Sequence, residues 1–377
     1  MHILIAPNAF KNSLSATAAA EAIRTGLKQS KLNCTCECFP VGDGGDGTAA
    51  LLIQKCGGNT VAAEVHDPLG RKIKAGFGQI DKGRTAVIEL ADASGLRLLR
   101  RHEFNPLRTT TFGTGELMKC ALDKGVARII LGIGGSATVD GATGMLQALG
   151  IRFLAANEEV LSNLPENLVD LRSIDLTGLD RRAEHCELTV LCDVENPLLG
   201  EQGAANVFGP QKGAAPSVVS RLEVALTNLC KVVLQQTGKD LATIKHGGAA
   251  GGVAAGLHGL LNGKLVNGID HFLDITCFDE ALQKADLVIT GEGSIDEQTL
   301  NGKGPFGVAS RAKKKNIPVI GLAGKVPLAA NASLRKYFDV LLAIGHAPVG
   351  SGKALQRTAQ NLQRAAMEFG NILALKK

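Results

Sequence analysis

Short apolar runs that stop abruptly in glycine-rich loops recur at both ends of this 377-residue chain, and that grammar restricts the fold more than any other feature. Ile3–Ala6 is followed by the loop Pro7–Ser13, and Thr35–Val41 by Gly42-Asp-Gly-Gly-Asp-Gly-Thr48. Near the other end Asp286–Thr290 leads into Gly291–Asp296, Ile317–Leu322 into Ala323-Gly324-Lys325, and Val340–Ile344 into Gly345-His346. Runs this short, bounded by loops, read as buried strands. Ser15 is placed to cap a helix reaching Gln29, with Ala18, Ala19, Ala22, Ile23 and Leu27 on one face. A helix is expected over Ala49–Lys55, and another over residues 354–377, where Leu355, Ala359, Leu362, Ala366, Phe369 and Leu373 fall three or four apart. Units of strand, loop and helix place their loops at strand C-termini, where open α/β sheets bind ligands.

The middle reads differently. Thr85–Glu89 and Arg128–Leu131 are strands by the same criterion, whereas 156–182 is polar with weak periodicity. The expected fold is α/β with two α/β domains. Residues 1–65 and 285–377 form a discontinuous Rossmann-like domain, and residues 66–284 form an α/β domain inserted into it. Periodicity does not pair the two ends, so two sequential domains stand as the alternative. No repeat of about 20–50 residues is evident.

Composition narrows the function classes. The 46 glycines are about 12% of the chain, but they follow no Gly-X-Y period, and a hydrophobic fraction of 45% is that of a globular protein. A formal net charge of +5, with twelve phenylalanines, one tyrosine and no tryptophan, offers little to a nucleic acid. No apolar stretch approaches the roughly 18 residues of a membrane span. The N-terminus MHILIAPNAF lacks the regions of a signal peptide, so a cytoplasmic location is expected. Nine cysteines, odd in number and irregular in spacing, read as reduced thiols. Cys34, Cys36 and Cys38 look like a metal clip, but alternate residues of a strand share a face, which accounts for the spacing without a metal. No sequence signal sets an oligomeric state.

Several loops carry chemistry-capable groups. Leu131-Gly-Ile-Gly-Gly-Ser-Ala-Thr-Val-Asp-Gly-Ala-Thr-Gly-Met145 follows an apolar strand and precedes a helical stretch. Its glycine amides, with the Ser136 and Thr138 hydroxyls, suit a phosphate at a helix N-terminus. It is neither a Walker A motif nor a GxGxxG fingerprint, and a tight turn without a ligand is the plain alternative. Gly42–Thr48 contains GGDGT, a loop also seen in phosphofructokinase-like and NAD- or lipid-kinase families. There Asp43 and Asp46 suit a hard cation that keeps several waters, or merely an Asp-Gly turn. Glu292 and Asp296 are expected just beyond a strand, followed by Lys303. They suit metal binding, proton transfer or an anionic oxygen, and Asp296 equally suits a helix cap. Asp193 ends the run LTVLC, where it is placed to act as a base or to begin the turn that Asn196-Pro197 completes. Lys212, between glycines, and Lys11, beside Asn8, Asn12 and Ser13, are candidates for anions. The eight histidines are scattered and form no nucleophile elbow. Amides, hydroxyls, carboxylates and lysines together suit phosphoryl transfer, in which the protein mostly positions groups and stabilises charge.

These motifs also come in a known order. Ala6–Leu14, Gly42–Thr48, Pro68–Gly70, Ala93–Leu96, Thr109–Leu117, Gly132–Gly144, Cys192–Pro197, Val207–Gly213, Gly247–Gly252 and Leu287–Lys303 together resemble the bacterial type-1 glycerate kinases, over residues 1 to about 325. The resemblance implies ATP- and Mg²⁺-dependent phosphorylation of D-glycerate, with 2-phosphoglycerate favoured over 3-phosphoglycerate. It also implies a mixed sheet in the inserted domain. In the site it suggests, ATP phosphates lie on Gly134, Gly135, Ser136, Ala137 and Thr138, and Mg²⁺ is held by Asp43, Asp46 or Glu292. Lys11, Ser13, Lys212 and Lys303 contact substrate, in a cleft between the domains. Asp193 or Asp296 takes the hydroxyl proton, and Lys11 assists catalysis. Against the family pattern, Asn8 and Ala9 stand where Asp-Ser is usual, Val139 replaces Asn, Ser294 replaces Arg and Asp46 replaces Glu. The rival readings are a kinase for another hydroxy acid, NAD or a lipid, and a non-catalytic hydroxy-acid-binding protein.

Overall fold

Two large sheets, one all parallel and one mixed, organise the chain. The computed structural model describes residues 1–329, 331–347 and 351–375. It divides into two units, Met1–Asp43 with Gly268–Lys377, and Gly44–Asn267.

The first unit is built on a five-stranded sheet in the order Val340–Ala343, Val319–Lys325, Leu287–Ser294, His2–Ile5, Thr35–Cys38, with every pair parallel. Ile3 lies opposite Leu287 and Ile5 opposite Ile289, so strands from the two ends of the chain are hydrogen-bonded neighbours. Ala16–Gln29 is helical from the expected cap, the Ser15 hydroxyl accepting from the Ala18 amide at 3.2 Å. Its apolar face, Ala19, Ile23 and Leu27, packs with Leu362, Ala366 and Phe369 against the sheet. The C-terminal helix is two helices, Ser351–Gln356 and Thr358–Ala374, because Arg357 leaves the helical region. Residues 376 and 377 of that expected helix lie outside the described residues. Cys34 and Cys36 fall on one side of their strand, Sγ to Sγ 3.8 Å, and no disulfide joins any of the nine cysteines.

The second unit carries a six-stranded mixed sheet, ordered Lys264–Asn267, Glu187–Cys192, Arg128–Gly132, Thr85–Glu89, Lys72–Ile80, Asn59–His66. The first four strands run parallel and the last two antiparallel to their neighbours. Its core joins Ile88, Leu131 and Val190 of the sheet to Leu117, Met145, Leu226 and Val253 of the surrounding helices. The break between units falls inside Gly42–Thr48 and not near residue 65, because Asn59–His66 pairs along its length with Lys72–Ile80. At the other end Gly268–Ile275 belongs to the first unit, ahead of the expected residue 285. The polar stretch 156–182 holds only short elements, among them Glu166–Asp170 and Ser173–Asp175. Among the described residues no helix is long and apolar enough to cross a membrane.

Candidate active site

Strand ends gather the motif loops in each unit separately. In the first unit the strand expected to stop at Thr290 continues through Gly-Glu-Gly-Ser to Ser294, because Glu292 pairs with Ala323 and Ser294 with Lys325. Glu292 is therefore in a strand and not beyond it. Its side chain is buried, and Oε1 accepts from the Thr299 hydroxyl at 3.1 Å. Burial pushes the Glu292 carboxyl up to about 7; Asp43 and Asp296 add to the shift, and Lys303 and Thr299 oppose it. Asp43 Oδ2 accepts from Asn8 Nδ2 at 2.7 Å and from the Gly304 amide at 3.3 Å. Asp296 caps the turn Glu297–Asn301, Oδ1 accepting from the Gln298 amide at 3.0 Å and Oδ2 from the Ser294 hydroxyl at 3.1 Å. Lys303 precedes the helix Gly304–Lys314.

Lys11 is exposed in the turn between Phe10 and Leu14. Ser13 lies close by, but its hydroxyl sits 2.6 Å from both Leu355 O and Thr358 Oγ1, which ties it to the C-terminal helices.

In the second unit three motifs meet at the carboxyl end of the sheet. Gly132 lies opposite Leu191, so the glycine-rich loop and Asp193 leave neighbouring parallel strands side by side. The Gly134 amide donates to Gly44 O at 3.1 Å, which lays Gly44–Thr48 on the same edge. The approach requires glycine: a Cβ on Gly134 would stand 2.6 Å from Gly45 Cα, and Gly135 has φ +72°. Asp193 is half-buried, one residue past Glu187–Cys192.

The loop Gly134–Thr138 is more fully committed to the protein than a phosphate cradle requires. The Ala137 amide donates to Ser94 O at 2.9 Å, and Ala137 and Thr138 are buried. The helix beyond it begins only at Thr143, and its N-terminus is occupied by Asp140. That buried carboxylate accepts from the Thr111 amide at 2.8 Å, the Thr111 hydroxyl at 2.7 Å, the Ala142 amide at 3.2 Å and the Gly144 amide at 3.3 Å. Burial pushes the Asp140 carboxyl up against these bonds. Within the loop, Gly135 is exposed and Gly134 is half-buried. Lys212 is 2% exposed, its Nζ donating to Ser136 Oγ and to Thr138 O, each at 2.7 Å. Burial pulls the Lys212 ammonium down to about 7, opposed by Asp140.

Sequence reasoning missed the acidic groups around Asp46. Glu89 ends the strand Thr85–Glu89 and receives the Gly47 amide at 3.1 Å and the Ala49 amide at 2.7 Å, closing the N-terminus of the helix Thr48–Cys56. Burial pushes its carboxyl up, and Asp92 and Asp46 add to the shift. Arg97 pairs with Asp92 and stands 3.9 Å from Asp46. Glu89, Asp92 and Arg97 line a pocket of about 480 Å³ together with Ile53, Phe77 and Val87. The signal was available, since Glu89 ends an apolar run as Asp193 does.

The carboxylates expected to hold Mg²⁺ thus fall in two sets: Asp43 with Glu292 in the first unit, and Asp46 with Glu89 and Asp92 in the second. Among the described residues no group of three or more His, Cys, Asp or Glu is arranged to hold a metal by itself. The donor set of Asp43 and Glu292 fits a cation that draws its remaining ligands from water and phosphate.

The glycerate kinase family matches residues 3–374. The chain is 44% identical over 377 residues to a glycerate kinase of Bacillus subtilis, covering 100% of this chain and 99% of that one. It is 40% identical to a glycerate 2-kinase of Escherichia coli, covering 100% and 98%. A crystal structure of a putative glycerate kinase 2 from Salmonella typhimurium superposes with a TM-score of 0.84 at 41% identity, over 100% of this chain and 99% of that one.

Proposed function

The chain belongs to the glycerate kinase family and is a kinase, and from that premise we propose that it transfers the γ-phosphoryl group of ATP to D-glycerate, with 2-phosphoglycerate as product. The observation that carries the reading is the gathering of Gly44–Thr48, Gly134–Ser136 and Asp193 at the carboxyl ends of neighbouring parallel strands of one mixed sheet. The exposed Gly135 there admits a phosphate oxygen, and Asp193, one residue past its strand, accepts the proton of the attacking hydroxyl. Asp296, whose oxygens accept from the Ser294 hydroxyl and the Gln298 amide, is the alternative base. Asp43 and Glu292 of the first unit would hold Mg²⁺, which supplies charge neutralisation in phosphoryl transfer. Lys11 and Lys303 supply positive charge for a carboxylate or phosphate. The preference for the 2-position is supported by the name of the Escherichia coli relative. Unbridged cysteines fit a reducing compartment, and we place the enzyme in the cytoplasm.

Phosphorus NMR of the product formed from ATP and D-glycerate tests the reaction and its position together. Turnover with glycerate is expected to exceed that with NAD, a lipid or other hydroxy acids. A glycerate-dependent thermal shift without phosphoryl transfer would instead favour a binding protein. Asp193→Asn is expected to lower kcat at least a hundredfold. If Asp193→Asn and Asp296→Asn both keep near wild-type kcat, neither is the base.

A further inference from the structure

Lys212 has the sequence setting of a surface anion ligand, yet only 2% of it is exposed and its amine is spent inside the protein. We propose that Lys212 is a positioning residue that turns the Ser136 hydroxyl into an outward proton donor for a phosphoryl oxygen of ATP. In its protonated form, which Asp140 favours, Lys212 has only N–H to offer, so at 2.7 Å it donates to Ser136 Oγ. The hydroxyl proton then cannot point back at Lys212. It is left to turn away from the amine; Ser136 is only 5% exposed, and the neighbouring Gly135 meets solvent. The second bond, to Thr138 O, holds the amine between two points of the same loop. Asp140, whose negative charge acts on Lys212, favours the protonated form against the burial that disfavours it. The substrate contact expected of Lys212 thereby passes to Ser136. This inference rests on the kinase reading above.

A double-mutant cycle on the full-length protein tests it. Ser136→Ala and Lys212→Met are each expected to raise KM for ATP about tenfold with KM for glycerate unchanged, and the double variant by no more than the larger single effect. A double variant that multiplies the two, to about a hundredfold, overturns the proposal. So does a Ser136→Ala variant with wild-type KM for ATP. Should Lys212→Met fail to fold, Ser136→Thr decides. Its retained hydroxyl is expected to restore KM for ATP toward wild type, and a loss equal to that of Ser136→Ala counts against the role. A wild-type chain inactive on glycerate overturns the kinase reading alone, and the same cycle is then read from the Kd for ATP by calorimetry.

Discussion

The side-chain amide of Asn8 donates to the carboxylate of Asp43 at 2.7 Å, joining two strand-end loops of one sheet through a neutral donor. Asn8→Asp replaces that bond with two facing carboxylates, close to the already raised Glu292. In chelator at pH 8 it is expected to destabilise the protein by about 1–3 kcal/mol. Mg²⁺ is expected to recover more melting temperature in the variant than in wild type, since the added carboxylate strengthens binding to the folded state. An unchanged melting temperature in chelator would show that the bond contributes nothing.

Glu292 predicts an unusual pH dependence of stability. Its carboxyl holds a proton in the folded chain up to about 7, but in the unfolded chain only to its ordinary range. Between those values the folded state binds more protons, so this group's contribution falls as pH rises toward 7. Glu292→Gln removes the charge and keeps an acceptor for Thr299. By scanning calorimetry in chelator it is expected to melt a few degrees above wild type at pH 8, with the gap closing as pH falls below the ordinary carboxylate range. A gap independent of pH would contradict the assignment.

Asp140 organises the second unit's loops. Asp140→Ala strands four buried donors from Thr111, Ala142 and Gly144, and removes the charge that opposes the Lys212 shift. Urea denaturation is expected to show a loss of about 3–5 kcal/mol, as for one partner taken from a buried polar network. Asp140→Asn, which keeps an acceptor, is expected to lose less.

Gly256 sets how closely the helix Ala249–Leu261 approaches the glycine-rich loop: a Cβ there would stand 1.9 Å from Gly141 O. Gly256→Ala is expected to destabilise by about 2–3 kcal/mol through forced backbone movement. Gly345→Ala, with no atom within 4 Å of the added carbon, is expected to stay within about 0.5 kcal/mol of wild type. Equal effects of the two would mean that the contact is not a constraint.

Much of this was legible in local sequence. His2–Ile5, Thr85–Glu89 and Arg128–Gly132 are continuous apolar runs, because strands of a covered parallel sheet are buried on both faces. The helix Ala16–Gln29 announced itself by its cap and apolar stripe. The extension of Leu287–Ser294 through two glycines did not, since that strand exists only because Val319–Lys325 lies beside it. Glu89 is marked in the sequence as the end of an apolar run, but its closing of the N-terminus of a helix forty residues earlier leaves no trace in spacing.

Sequence by itself determined the α/β class, the order of the loops, the family and the chemical types at each strand end, since these depend on residue identity and short-range periodicity. Tertiary structure alone decided how those groups are spent. It closed the helix beyond the glycine-rich loop with Asp140, turned Lys212 inward onto Ser136, and sent Asp43 and Asp46 to different carboxylate sets. The reason is burial: it sets which charges are desolvated and which hydrogen bonds are already made, and both depend on residues far apart in the chain.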